Sequence, residues 1–225
     1  MIPNLPMVLN VLFIATTLLA VFLFYKATNR SGMTLIILFA WLIVQAAIAL
    51  TGFYEVTTGF PPRFALLAGP AVLVIIIVFI SAKGRAWLDG LDTKTLTLLH
   101  IVRIPVELTL YWLFLQKTVP QVMTFAGRNY DIIAGLTAPL VYYFGYIKNN
   151  LGKTALLVWN TLCLGLLFNI VITAVLSAPT SFQQFGFEQP NTAILYFPFV
   201  WLPCCVVPLV LLAHLVCTRK LLMKK

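Results

Sequence analysis

Leu98-Leu99-His100-Ile101-Val102-Arg103-Ile104-Pro105-Val106-Glu107-Leu108-Thr109-Leu110-Tyr111 sets two opposite charges and a histidine in an otherwise aliphatic and aromatic run. The apolar stretch around it, Thr95 to Leu115, is long enough to cross a hydrocarbon layer about 30 Å thick at about 1.5 Å per helical residue. Thr97, His100, Arg103, Glu107 and Tyr111 recur at three- and four-residue steps, so they form one polar stripe along one helix face. In lipid that stripe must turn into a bundle, because an ionisable side chain in hydrocarbon costs several kcal/mol unless it is paired or hydrated.

The same reading extends outward from this segment. Apolar stretches also run from Leu5 to Tyr25, Thr34 to Tyr54, Phe64 to Ile80, Ile132 to Ile147, Ala155 to Leu176 and Ala193 to Val216, which predicts an all-α, polytopic bundle of seven transmembrane helices in one domain. Turn and charge signals separate them: Asn29-Arg30-Ser31-Gly32, Gly59-Phe60-Pro61-Pro62, Lys83-Gly84-Arg85, Asn149-Asn150 and Ser177-Ala178-Pro179. Composition agrees, with 61% apolar and 9% charged residues in a chain of 225, against about 25% charged in a soluble domain. The N-terminal apolar run lacks a basic leader and is long for a signal peptide, so it reads as a retained first helix.

Lys and Arg set the orientation. Lys26, Arg30, Lys83, Arg85, Lys94, Lys148, Lys153, Arg219, Lys220, Lys224 and Lys225 fall on one side of the predicted spans, against Arg63, Lys117 and Arg128 on the other. The positive-inside rule then puts the N-terminus outside and the C-terminus in the cytoplasm of a cell-membrane, multi-pass protein. The net charge of +9 is spread over connector ends rather than gathered on one face, which argues against nucleic acid as a partner. Cys163, Cys204, Cys205 and Cys217 lie in apolar segments without a CxxC, so no disulfide framework is expected.

The candidate site centres on the fourth span. His100 falls about 8 Å inside the cytoplasmic boundary, Arg103 about 12 Å, and Glu107 near the midplane. Arg103 and Glu107 are spaced to pair within the helix, although Arg before Glu is the weaker order, which leaves each free to engage a neighbouring helix. Gln45 and Asn160 fall at similar depths, Thr137, Tyr142, Tyr143 and Asn169 are further members, and together they predict a polar core open toward the cytoplasm. Pro105 releases the carbonyl of Ile101, and Pro198, Pro203 and Pro208 in the last span release those of Ile194, Phe199 and Cys204, which then need partners. The outer loops mix aromatic and charged residues, with Arg128 and Asp131 placed to pair.

Three classes of function fit these residues. The first is a protein that binds or moves a small solute or protons, with His100, Arg103, Glu107, Gln45, Asn160 and Tyr111 as the handling groups. A chain this short would then work as a homo-oligomer or as a subunit of a membrane complex. The second is an intramembrane haem- or metal-binding enzyme or electron carrier ligated by His100 and His214, the only two histidines, with Glu107 or Cys205 as further ligands. The third is a receptor or scaffold whose polar stripe only fixes packing. No HExxH occurs, and the last span lacks a lysine in its apolar body where retinal would attach.

Overall fold

The computed structural model describes residues 1–59 and 61–223; the connector residue Phe60 and the tail lysines Lys224 and Lys225 lie outside the described residues. Among those described, the chain is helical and contains no strand: α1 (Met7–Ala27), α2 (Gly32–Leu50), α3 (Ala65–Ile80), α4 (Ala82–Gly90), α5 (Thr93–Leu99), α6 (Arg103–Leu115), α7 (Ile132–Tyr142), α8 (Lys153–Leu176) and α9 (Val207–Met223). A 3-10 turn, His100–Val102, joins α5 to α6 as one long helix just ahead of Pro105, and π turns extend α7 (Tyr143–Ile147) and precede α9 (Leu202–Val206).

Local chemistry sets several helix starts and hides polar groups. The Ser31 hydroxyl accepts from the Thr34 amide at the start of α2, and the Asp92 carboxylate accepts from Lys94 and Thr95 at the start of α5. Inside α1 the Thr16 and Thr17 hydroxyls donate to the Leu12 and Phe13 carbonyls one turn back, so neither threonine leaves a buried hydroxyl unsatisfied.

Among the described residues, five helices are long and apolar enough to span a membrane: Met7–Ala27, Gly32–Leu50, Thr93–Leu115, Lys153–Leu176 and Leu202–Met223. A sixth is reached if α3 and α4 count as one span bent by 96°. Five or six such helices are fewer than the seven expected, and length is the reason at α3: it has 16 residues, about 24 Å of helix against a layer of about 30 Å. At Ser81, whose hydroxyl accepts from the Gly84 amide, the chain turns sharply into α4.

The short helix Ile132–Ile147 has a different explanation. It packs beside α5, the His100–Val102 turn and the first part of α6, and the preceding loop folds into the bundle with Met123, Thr124 and Asn129 almost wholly buried. Gly135 permits this packing, since a β-carbon there would sit 2.9 Å from Ile104 Cγ1 and 3.0 Å from the Ile104 nitrogen.

The last predicted span is also corrected. Ala193–Leu195 forms only a 3-10 turn, and regular helix resumes through Leu202–Val206 into α9, ending at Met223. Prolines at 198, 203 and 208 cannot donate to a helical ladder, so the segment stays irregular until the last of them lies in the first turn of α9. Two of the released carbonyls find partners as expected: Phe199 accepts from the Leu202 amide, and Cys204 accepts from the Trp41 indole at 2.8 Å. Trp201 donates in turn to the Leu42 carbonyl at 3.0 Å, which ties the irregular segment to α2.

At one end of the bundle three separate segments meet. The Asp92 amide donates to the Ala27 carbonyl, the Asn29 side chain to the Gly90 carbonyl, and Arg219 makes a two-point ion pair with Asp89 at 3.0 and 3.1 Å. The α5–α6 helix is central and packs against α1, α7 and α9, while α8 lies on α9 and α7.

Candidate functional site

The polar stripe does face inward. Thr97, His100, Arg103 and Glu107 are all buried, and α7, α8 and α9 supply their neighbours. Tyr111 is the exception: it is half-buried, with its ring stacked on Phe125 at 4.7 Å, and it takes no part in the charge cluster.

Arg103 is the hub. Its Nη1 lies 3.2 Å from Asp131 Oδ1, a buried ion pair whose geometry is not that of an aligned hydrogen bond. The same Nη1 donates to the Cys163 carbonyl at 3.3 Å, and Nη2 donates to His214 Nε2 at 3.1 Å. The expected Arg103–Glu107 pair within the helix is thus replaced by a pair across to α7, and the expected Arg128–Asp131 pair does not form. Arg128 instead offers its carbonyl to Asn169 and lays its guanidinium over the Phe185 ring.

These bonds fix the state of His214. A guanidinium only donates, so Nε2 must accept; Nδ1 then carries the hydrogen and donates to Asn160 Oδ1 at 2.8 Å. The Asn160 amide completes the arrangement by donating to the His214 carbonyl and the Thr218 hydroxyl. His214 is therefore a neutral ring with both nitrogens engaged. His100 lies against it, ring centroids 3.9 Å apart and planes 20° from parallel, with Trp159 edge-on at 5.7 Å and neither His100 nitrogen hydrogen-bonded.

The haem and metal reading does not fit this geometry. Axial ligation by two imidazoles needs a ring on each side of a porphyrin, each aiming a nitrogen at the iron, whereas these rings are stacked in contact. His214 has no lone pair left to offer a metal. Among the described residues no three His, Cys, Asp or Glu side chains gather as a metal site.

Glu107 differs from its neighbours. Its Oε1 accepts from the Asn129 side chain at 2.6 Å, while Oε2, in a residue only 1% exposed, has no hydrogen-bond partner. Glu107 and Asp131 form the acidic part of the wall of a cavity of about 690 Å³ bounded by α3, α6, α8, the Leu202–Val206 turn and the start of α9. The rest of that wall is almost entirely aliphatic and aromatic. The cavity exists because α3 leans on the Leu202–Val206 turn and α9 rather than on α8.

Other predicted members lie elsewhere. Gln45 is buried but accepts from the Tyr54 hydroxyl, a pair of its own on α2. Thr137 accepts from the Trp159 indole at 2.9 Å, Tyr143 faces outward, and Asn169 is spent on the Arg128 carbonyl. A polar core open toward the cytoplasm was expected; Thr97, His100 and His214 are almost wholly buried, and the cavity borders the cluster on the Glu107–Asp131 side. Sequence reasoning missed Asn129 and Asp131 as partners of the fourth span, because loop residues more than twenty positions away share no periodicity with it.

Fold and site together define an all-helical, membrane-embedded bundle with a buried charge cluster beside an apolar cavity. No family model, curated protein or solved structure matches the chain.

Proposed function

We propose that this protein binds a small solute within the bilayer, in the cavity between α3 and α8, with Glu107 and Asp131 as its polar contacts and Glu107 as the group that exchanges a proton. The observation that carries this reading is the Glu107 carboxylate: deep in a membrane helix, in a residue that lines a large cavity, it leaves one oxygen without a hydrogen-bond partner. A purely structural carboxylate at such depth would be expected to have both oxygens satisfied, since an unmet buried acceptor costs about 1–3 kcal/mol. Intramembrane ionisable groups of this kind mark solute or proton paths.

The topology that accompanies this reading is seven crossings, with the inserted loop and α7 together making the fifth and α3 the third. The meeting of the first and third connectors with the basic end of α9 supports a common side for them. The positive-inside rule makes that side cytoplasmic and leaves the N-terminus outside.

Proteoliposomes containing a pH-sensitive dye test the role of Glu107. Under an imposed pH gradient the wild-type protein is expected to carry a proton flux that Glu107→Gln abolishes while its elution profile and thermal midpoint stay unchanged. Equal flux in both proteins, or a loss of folded protein without a specific loss of flux, would return the carboxylate to a packing role.

A further inference from the structure

The cavity beside Glu107 is built for one kind of occupant. Arg103, the basic side chain of the buried cluster, is committed to Asp131, the Cys163 carbonyl and His214 and makes no ion pair with Glu107. Arg103 pairs with Asp131, so an ionised Glu107 would have no counter-charge at ion-pair distance among the described residues. Glu107 lines the cavity, and its Oε2 has no hydrogen-bond partner.

The remainder of the wall decides the body of the ligand. Residues such as Val106, Leu110, Leu167 and Ile170 offer no hydrogen bond, so a hydrated metal ion or a polar solute would lose its water there without replacement. Val72, Leu73, Ile76 and Val175 line the same cavity and are also exposed on the outer face of the bundle. The entrance therefore lies on the lipid-facing side, between α3 and α8.

Resting on the solute-binding reading above, we infer that the ligand is a monovalent organic cation with an apolar body, taken up sideways from the bilayer, whose charge compensates Glu107. A zwitterionic phospholipid is a poorer match, because its phosphate would be drawn in beside two carboxylates.

Three ligands of nearly equal shape test this: tetraphenylphosphonium, the neutral tetraphenylsilane and the anion tetraphenylborate. Binding is measured by equilibrium dialysis against phosphatidylcholine nanodiscs, with empty discs subtracted, so that choline headgroups compete in large excess. The expected result is saturable binding of tetraphenylphosphonium at one per chain, at least about tenfold tighter than either analogue, as befits an opposite charge in a low-dielectric site. Glu107→Gln should remove that preference while leaving the chain folded. Gly69→Phe should abolish binding of all three by filling the cavity, at a position where a β-carbon meets nothing within 4 Å. Equal affinities for the three, unchanged by Glu107→Gln but lost in Gly69→Phe, would overturn the cation assignment while leaving a solute cavity in place. No saturable binding of any of them in the wild-type protein would overturn the cavity reading and this inference with it.

Discussion

The two halves of the buried cluster differ in where their unpartnered polar atoms lie. Around His214 both ring nitrogens and the side-chain amide of Asn160 are bonded, and the unbonded nitrogens of His100 stacked beside it belong to a residue that does not line the cavity. Around Glu107 one carboxylate oxygen has no hydrogen-bond partner, in a residue that lines the cavity. A saturated network in low dielectric holds helices in register and offers nothing to a ligand; an unsaturated one weakens the fold and has something to offer. Arg103 belongs to both halves, which ties the stability of one to the charge of the other.

The sharpest way to break this division is Arg103→Met. It leaves two buried carboxylates without a counter-charge and His214 without its donor, so a loss of about 3–5 kcal/mol is expected, seen as little folded protein on size-exclusion chromatography. If the variant were as stable as wild type, the hub assignment would fall. His214→Ala should come next, at about 2–4 kcal/mol, because it opens a void and strips partners from Arg103 and Asn160; unchanged thermal unfolding would show that the saturated half does not hold the bundle. A double-mutant cycle refines the comparison: Arg103→Met with Asp131→Asn should show a coupling of about 1–3 kcal/mol, and Arg103→Met with Glu107→Gln clearly less.

Gly135→Val probes the approach that brings Asp131 to Arg103. Crowding the Ile104 backbone should cost about 1–3 kcal/mol, and a Cys crosslink scan between α6 and α7 should report the separation. The smallest effect is expected at the surface. Its hydrogen bonds from Arg219 hold the Asp89 carboxyl below its ordinary value of 3.8. The stability it contributes is then present above that value and lost as pH falls through the lower folded value. Asp89→Asn should flatten the acid limb of the thermal midpoint below about pH 4, a change that high salt should mimic; an identical limb in both proteins would remove Asp89 from the account.

Much of this architecture is legible before any coordinates. The polar stripe of the fourth span follows from spacing alone, and its burial holds for Thr97, His100, Arg103 and Glu107 but not for Tyr111, where stacking on Phe125 prevails. His100 and His214 are paired in the sequence reading only as candidate ligands, and the structure brings their rings into contact. The mode of that contact, stacking rather than shared ligation, was not foreseeable, since ring orientation depends on what each nitrogen finds.

What the sequence by itself determined was the solvent: so few charges and such long apolar runs leave only a bilayer, and in a bilayer every backbone group must close its bonds within a helix. It also determined which face of the fourth span looks inward, because helical periodicity is a local property. Tertiary structure alone decided the partner of each charge and the depth to which the loop before α7 inserts. Those depend on Gly135, Asn129 and Asp131 meeting residues remote in sequence, and on α3 standing away from α8. No local pattern encodes such distances; they are set when helices pack and buried polar groups compete for the few partners within reach.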